Sequence, residues 1–99
     1  MDGDHLAALE DDRRRRLIEE LVDRDGEESV SAIDAVRNGE EDREALRIEL
    51  FHKHLPLLER SDVVEWDRES LDVRRGSDFD QVRTVLATID GHADGLPEG

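Results

Sequence analysis

The chain has 99 residues, enough for one small domain, and 35% of them are hydrophobic with only Phe51, Trp66 and Phe79 aromatic, so its core must be built mostly of Leu, Val and Ile. Acids outnumber bases 28 to 14, a formal net charge of -14, and Lys53 is the single lysine beside 13 arginines. So acidic a surface repels nucleic acid and anionic membranes in general; the lack of cysteine excludes a disulfide framework, a thiolate metal site and a thiol nucleophile.

Leu6, Leu9, Leu17, Ile18, Leu21 and Val22 recur at helical spacing around Asp11-Asp12. They predict a short N-terminal helical segment and then a main helix from about Arg13 to Arg24, closed by Asp25-Gly26. Ser31 is placed to cap a short second helix, with Asp34 three positions on, that stops near Asn38-Gly39. A longer third helix starts near Asp42 and ends around Arg60-Ser61, with Leu46, Leu50, Phe51, Leu55 and Leu58 on its buried face. Pro56 lies inside it, costs a backbone hydrogen bond and predicts a kink. Val63–Trp66 and Leu71–Val73 have strand character on either side of a turn at Asp67–Ser70. The last helix, about Asp78 to Asp90, carries Phe79, Val82, Leu86 and Ile89 as a coiled-coil-like stripe, and residues 91–99 read as a flexible tail. Met1 to His5 are acidic and lack an apolar segment, so no signal peptide is expected, and no apolar run approaches a membrane span. The expected location is the cytoplasm.

The fold class is therefore mainly α with a small β-hairpin. The order helix, helix, helix, hairpin, helix is that of a winged helix-turn-helix, with residues 1–90 as a single domain. A disordered acidic chain lacks such apolar periodicity. The alternative reading of the charge is adaptation to molar salt, where carboxylates keep a surface hydrated and soluble.

The stretch His54 to Trp66, "HLPLLERSDVVEW", resembles the end of the recognition helix and the start of the wing in arsenic-repressor-type winged-helix regulators. It is closer to a group of small haloarchaeal winged-helix domains, on Phe51, His52, His54, Leu55, Pro56, Leu58, Val63, Val64, Trp66 and Asp67. The opening "LAALEDDRRRRLIEEL" resembles that group's first helix. The likeness spans roughly residues 6 to 75 and implies a winged-helix fold, a halophilic archaeal source and a place in transcriptional regulation. Asp62 departs from the wider pattern, in which glycine is common at that position, and adds a negative charge beside the wing.

Residues 43–60 hold four bases (Arg43, Arg47, Lys53, Arg60) against three acids (Glu44, Glu49, Glu59), so the rest of the chain carries -15. The third helix is thus the least acidic part. Arg43, Arg47, His52, Lys53 and His54 are the expected contacts to phosphates and base edges of double-stranded DNA, with Arg68, Arg74 and Arg75 supplying backbone or minor-groove contacts from the hairpin. The competing reading is a protein-protein interaction module that does not bind DNA. His52 and His54 stand two apart, about 200° around a helix, and cannot chelate one ion; no metal, cofactor or small-molecule substrate is expected. Arg13–Arg16, flanked by Asp11-Asp12 and Glu19-Glu20, reads as a run of ion pairs rather than a basic patch. Phe79, Val82, Leu86 and Ile89 could cap the domain's own core, but the small size and thin core favour the seam of a homodimer. No nucleophile or phosphate loop points to an enzyme.

Overall fold

A computed structural model of the chain describes residues 3–95, with side chains from His5 to Thr88. Helices α1 (Gly3–Leu9) and α2 (Asp12–Val22) are followed by β1 (Val30–Ser31) and α3 (Ala32–Val36). A long helix then runs as α4 (Arg43–Glu49), a π-helical turn (Leu50–His54) and α5 (Leu55–Arg60). Strands β2 (Val64–Trp66) and β3 (Asp72–Arg75) lead into α6 (Phe79–Gly95). The chain is thus mainly helical with a small antiparallel sheet. Residues 91–95, expected to be a loose tail, continue α6; residues 96–99 lie outside the described residues.

Asp11 separates α1 from α2, its carboxylate accepting the Arg13 N–H at 2.8 Å as an N-cap. The second helix stops at Val22, before the expected Asp25-Gly26 signal. Its end is closed by a cation from across the fold: Arg75 Nη2 donates to the carbonyls of Leu21 (3.0 Å) and Arg24 (2.8 Å). Positive charge at a helix C-terminus complements the dipole. Ser31 caps α3 as expected, its hydroxyl accepting the Asp34 N–H at 3.3 Å. Gly39 takes the left-handed conformation (φ 54°) in the turn that follows.

The sheet has three strands, in the order β1-β3-β2, rather than the two of the expected hairpin. β1 pairs Val30 with Val73 and Ser31 with Asp72, and two residues are too few to show an alternating pattern. β2 pairs Glu65 with Arg74 and Trp66 with Val73. Asp67 organises the hairpin turn: its N–H donates to the Asp72 carbonyl, and its carboxylate accepts the Glu69 and Ser70 N–H groups at 2.8 and 3.1 Å. Those bonds, Ser70's foremost, hold the Asp67 carboxyl below the usual range.

The π turn sets the phase of the long helix. An α-helix advances about 100° per residue, so Leu55, five residues beyond Leu50, would fall about 140° away from it. The widened turn absorbs the extra residue, and the Leu55 N–H reaches the Leu50 carbonyl. Leu46, Leu50, Leu55 and Leu58 consequently share one buried face. The turn ends immediately before the segment opened by Leu55-Pro56, where the missing proline N–H is tolerated as it is in the first turn of a helix. The expected kink is thus a π turn that keeps the leucines in register.

The helix closes on Asp62 in the left-handed region (φ 62°). The Asp62 N–H donates to the Glu59 carbonyl and the Val63 N–H to the Leu58 carbonyl, both at 2.9 Å, with Leu58 and Val63 buried together. This conformation is why glycine suits the position. Gly76 lies against the same corner: a Cβ there would stand 2.6 Å from the Asp62 carbonyl oxygen.

The core joins α2, the long helix and the sheet through Leu17, Ile18, Leu21, Leu46, Leu50, Leu58 and Val73. Phe79, Val82 and Leu86 belong to it as well, so these three do not offer the free apolar stripe that a dimer seam through α6 requires. The side chain of Ile89 lies outside the described residues.

Candidate nucleic-acid interface

The outward side of the long helix is a stripe at four-residue spacing. Glu44, Ile48, His52 and Arg60 are exposed along it, with Pro56 half-buried between the last two. Arg43 and Lys53 flank the stripe and are also exposed. The three acids of this helix do not share that surface equally. Glu49 is half-exposed on the flank of the helix, where its Oε2 accepts from His54 Nε2 at 2.7 Å and faces Arg13 Nε at 3.3 Å. Glu59 turns to the hairpin, where its Oε1 accepts from Trp66 Nε1 at 3.2 Å and Arg68 at 3.1 Å. Glu44 is the acid left on the outer face, against Arg43, Lys53 and Arg60. Arg43 makes a loose exposed pair with Asp34 at 3.5 Å, whereas Lys53 and Arg60 have no ion-pair partner among the described residues.

A series of planar groups fixes the hairpin beside this helix. The Phe51 ring packs edge-on against His52 (centroids 5.0 Å) and Trp66 (5.4 Å), and the Arg68 guanidinium lies 4.6 Å from the Trp66 ring centre. Arg47 is half-buried and donates to the Glu69 carbonyl at 2.8 Å, tying α4 to the hairpin turn. Its expected role as a free DNA contact gives way to that of a strut. Arg68 and Arg74 are exposed on the hairpin, each paired with a glutamate: Glu59 at 3.1 Å and Glu65 at 2.9 Å.

Two of the expected DNA contacts are corrected outright. His54 is 1% exposed. Arg14 Nη1 donates to its Nδ1 at 2.9 Å, and arginine has no acceptor, so Nδ1 is unprotonated and Nε2 carries the proton given to Glu49. Arg14 also clasps the Ala7 carbonyl with Nε and Nη2, at 3.1 and 2.9 Å. His54 therefore links α1, α2 and the long helix inside the protein. The guanidinium of Arg75 is committed to the end of α2 and lies 4.8 Å from the Phe79 ring centre.

The arginine run is structural, although most of its partners are tertiary rather than neighbours in sequence. Arg13 donates to the Val36 carbonyl and both oxygens of Glu41, and that guanidinium holds the Glu41 carboxyl below its usual range. Arg15 donates to the Leu9 carbonyl at 3.1 Å and Arg16 to Asn38 Oδ1 at 2.5 Å. Arg14, Glu49 and Glu59 escaped sequence reasoning because their partners lie off the helical spacings at which ion pairs are sought. Ile48, two residues from both Leu46 and Leu50, falls about 160° from the leucine face, a spacing that marks it as an outward apolar residue.

Among the described residues no three His, Asp or Glu side chains gather as a metal site, and no helix is long and apolar enough to cross a membrane. The model of one family, described as a domain of unknown function (DUF7344), matches residues 6–74. The chain belongs to the DUF7344 family. The matched span contains the Arg14–His54–Glu49 network, the whole long helix and the hairpin except its last residue, and it stops before α6. No curated protein and no solved structure matches the chain.

Proposed function

We propose that this DUF7344 chain is a winged helix-turn-helix domain that binds double-stranded DNA through the outer face of the Arg43–Arg60 helix, serving transcriptional regulation in a halophilic archaeon. The observation that carries the reading is the disposal of acids on that helix. Glu49 and Glu59 are engaged by His54 and Arg13 and by the hairpin, and Arg43 pairs with Asp34. This leaves Lys53 and Arg60 exposed and unpaired among the described residues, with Glu44 the fully exposed acid of the helix. A net charge of -14 opposes DNA at long range. Salt at molar strength screens that opposition within about 3 Å but also removes the counterion-release gain of each phosphate contact.

The hairpin favours a second reading. Glu65, Asp67, Glu69 and Asp72 are exposed around Arg68 and Arg74, and such a surface suits a basic protein partner better than a phosphate backbone. Retention of random-sequence duplex across a potassium chloride series separates the two. For DNA binding, Lys53→Gln and Arg60→Gln each make the slope of log affinity against log salt shallower by about 0.9. If both leave affinity and slope unchanged, the DNA reading fails and the protein-module reading replaces it.

A further inference from the structure

Two large apolar side chains are substantially exposed among the described residues: Leu6 on α1 (56%) and Ile48 (52%). A single exposed apolar residue is common on soluble proteins. Ile48 is set apart by its position in the middle of the outward stripe, one turn beyond Glu44 and one turn before His52. Four residues of helix rise about 6 Å, so the three side chains sample about four base pairs of a groove lying along the helix. Of the flanking cations, Lys53 is exposed with no ion-pair partner among the described residues and Arg43 is held only by a loose exposed pair with Asp34 at 3.5 Å, so both can meet phosphates.

Within a major groove, the one apolar group that a base edge displays is the 5-methyl of thymine. Ile48 is β-branched and stiff at its first side-chain torsion, so it presents a fixed apolar surface with little entropy to lose on contact. His52 is steadied by the edge-on Phe51 ring, and a ring nitrogen of histidine can donate to the acceptors of guanine. Glu44 is an acceptor, suited to the amino group of cytosine. We infer that Ile48 is a specificity-determining residue that reads the 5-methyl group of thymine, set between two polar base-reading positions at Glu44 and His52. The inference rests on the DNA reading above.

The test uses the full chain. Duplexes are selected from a random pool in molar potassium chloride, and each thymine of the selected site is then replaced by uracil, which lacks only the methyl group. Loss of one buried methyl contact weakens binding about fourfold. The expected result is one thymine position with that loss in the unaltered chain and no such loss in Ile48→Ala, a substitution at an exposed helical site. Selection of a defined site that tolerates uracil at every position, or an undiminished uracil effect in Ile48→Ala, overturns the inference while leaving DNA binding intact. Failure to retain any duplex overturns both.

Discussion

The buried link between Arg14 and His54 is the feature of this fold most open to a quantitative test. Arg14→Met keeps the side chain's length and removes every donor. It strands His54 Nδ1, which loses the one partner it has, and takes two N–H donors from the Ala7 carbonyl, which keeps the Glu10 N–H at 3.2 Å. A buried acceptor left unpaired costs about 1–3 kcal/mol, so the single change should destabilise by about 1–3 kcal/mol. For a domain of this size that lowers the melting temperature by about 5–25 °C. His54→Leu instead strands one Arg14 N–H, whereas Glu49 keeps Arg13 and access to water, and the expected cost is about 1.5–3 kcal/mol. With both partners apolar, neither the His54 acceptor nor the Arg14 donor is left facing an empty position. The double variant should then be less destabilised than the sum of the singles by about 2 kcal/mol. Urea unfolding followed by helical circular dichroism, at one fixed potassium chloride concentration, reads all four proteins on one scale. Additivity within about 0.5 kcal/mol would show that the two side chains do not share a network. An Arg14→Met protein that melts with the parent would show that α1 is not held by this clasp.

The corner where the long helix meets the sheet yields two further outcomes. Gly76→Ala puts a Cβ 2.6 Å from the Asp62 carbonyl oxygen and 2.9 Å from Val64 N, and both are backbone atoms that can yield only by moving β2; a loss of about 1–3 kcal/mol is expected in thermal melts. Asp62→Gly acts in the opposite direction. It relieves a left-handed residue and removes an acid from a crowded acidic surface, raising the urea midpoint by the equivalent of about 1 kcal/mol, whereas Asp62→Val lowers it.

Much of this fold is legible as apolar spacing. Leu46 and Leu50 of the long helix, the capping Ser31 and the Asn38-Gly39 turn all stand where periodicity and turn chemistry place them. The departures share a cause, which is that distant parts of the chain supply what local rules assign to neighbours. α2 ends where Arg75 takes its carbonyls, 51 residues along the chain from Arg24, not at the local glycine. β1 exists because β3 lends it a partner. The π turn was foreshadowed by the spacing itself, since Leu50 to Leu55 is five residues, a step that no regular α-helix keeps on one face. Pro56 marks the position but not the remedy.

The candidate interface was less legible, because a charge count treats every side chain as equally outward. Counting gives the long helix a surplus of one positive charge. Burial and pairing redistribute it: two acids and one histidine leave the outer face, and Arg47 is drawn into the hairpin turn. What remains is fewer cations than the sequence offers, opposed by fewer acids still. The arrangement has a consequence for any ligand. The same contacts that withdraw Glu49 and Glu59 also fix the helix against α2 and the hairpin, so the outward stripe is preorganised by the groups that neutralise it. Breaking the Glu59–Trp66–Arg68 corner would therefore alter both the charge and the aim of the face, whereas Lys53→Gln or Arg60→Gln alters charge alone. That separation is what makes the exposed pair the sound place to ask whether the helix meets a phosphate backbone.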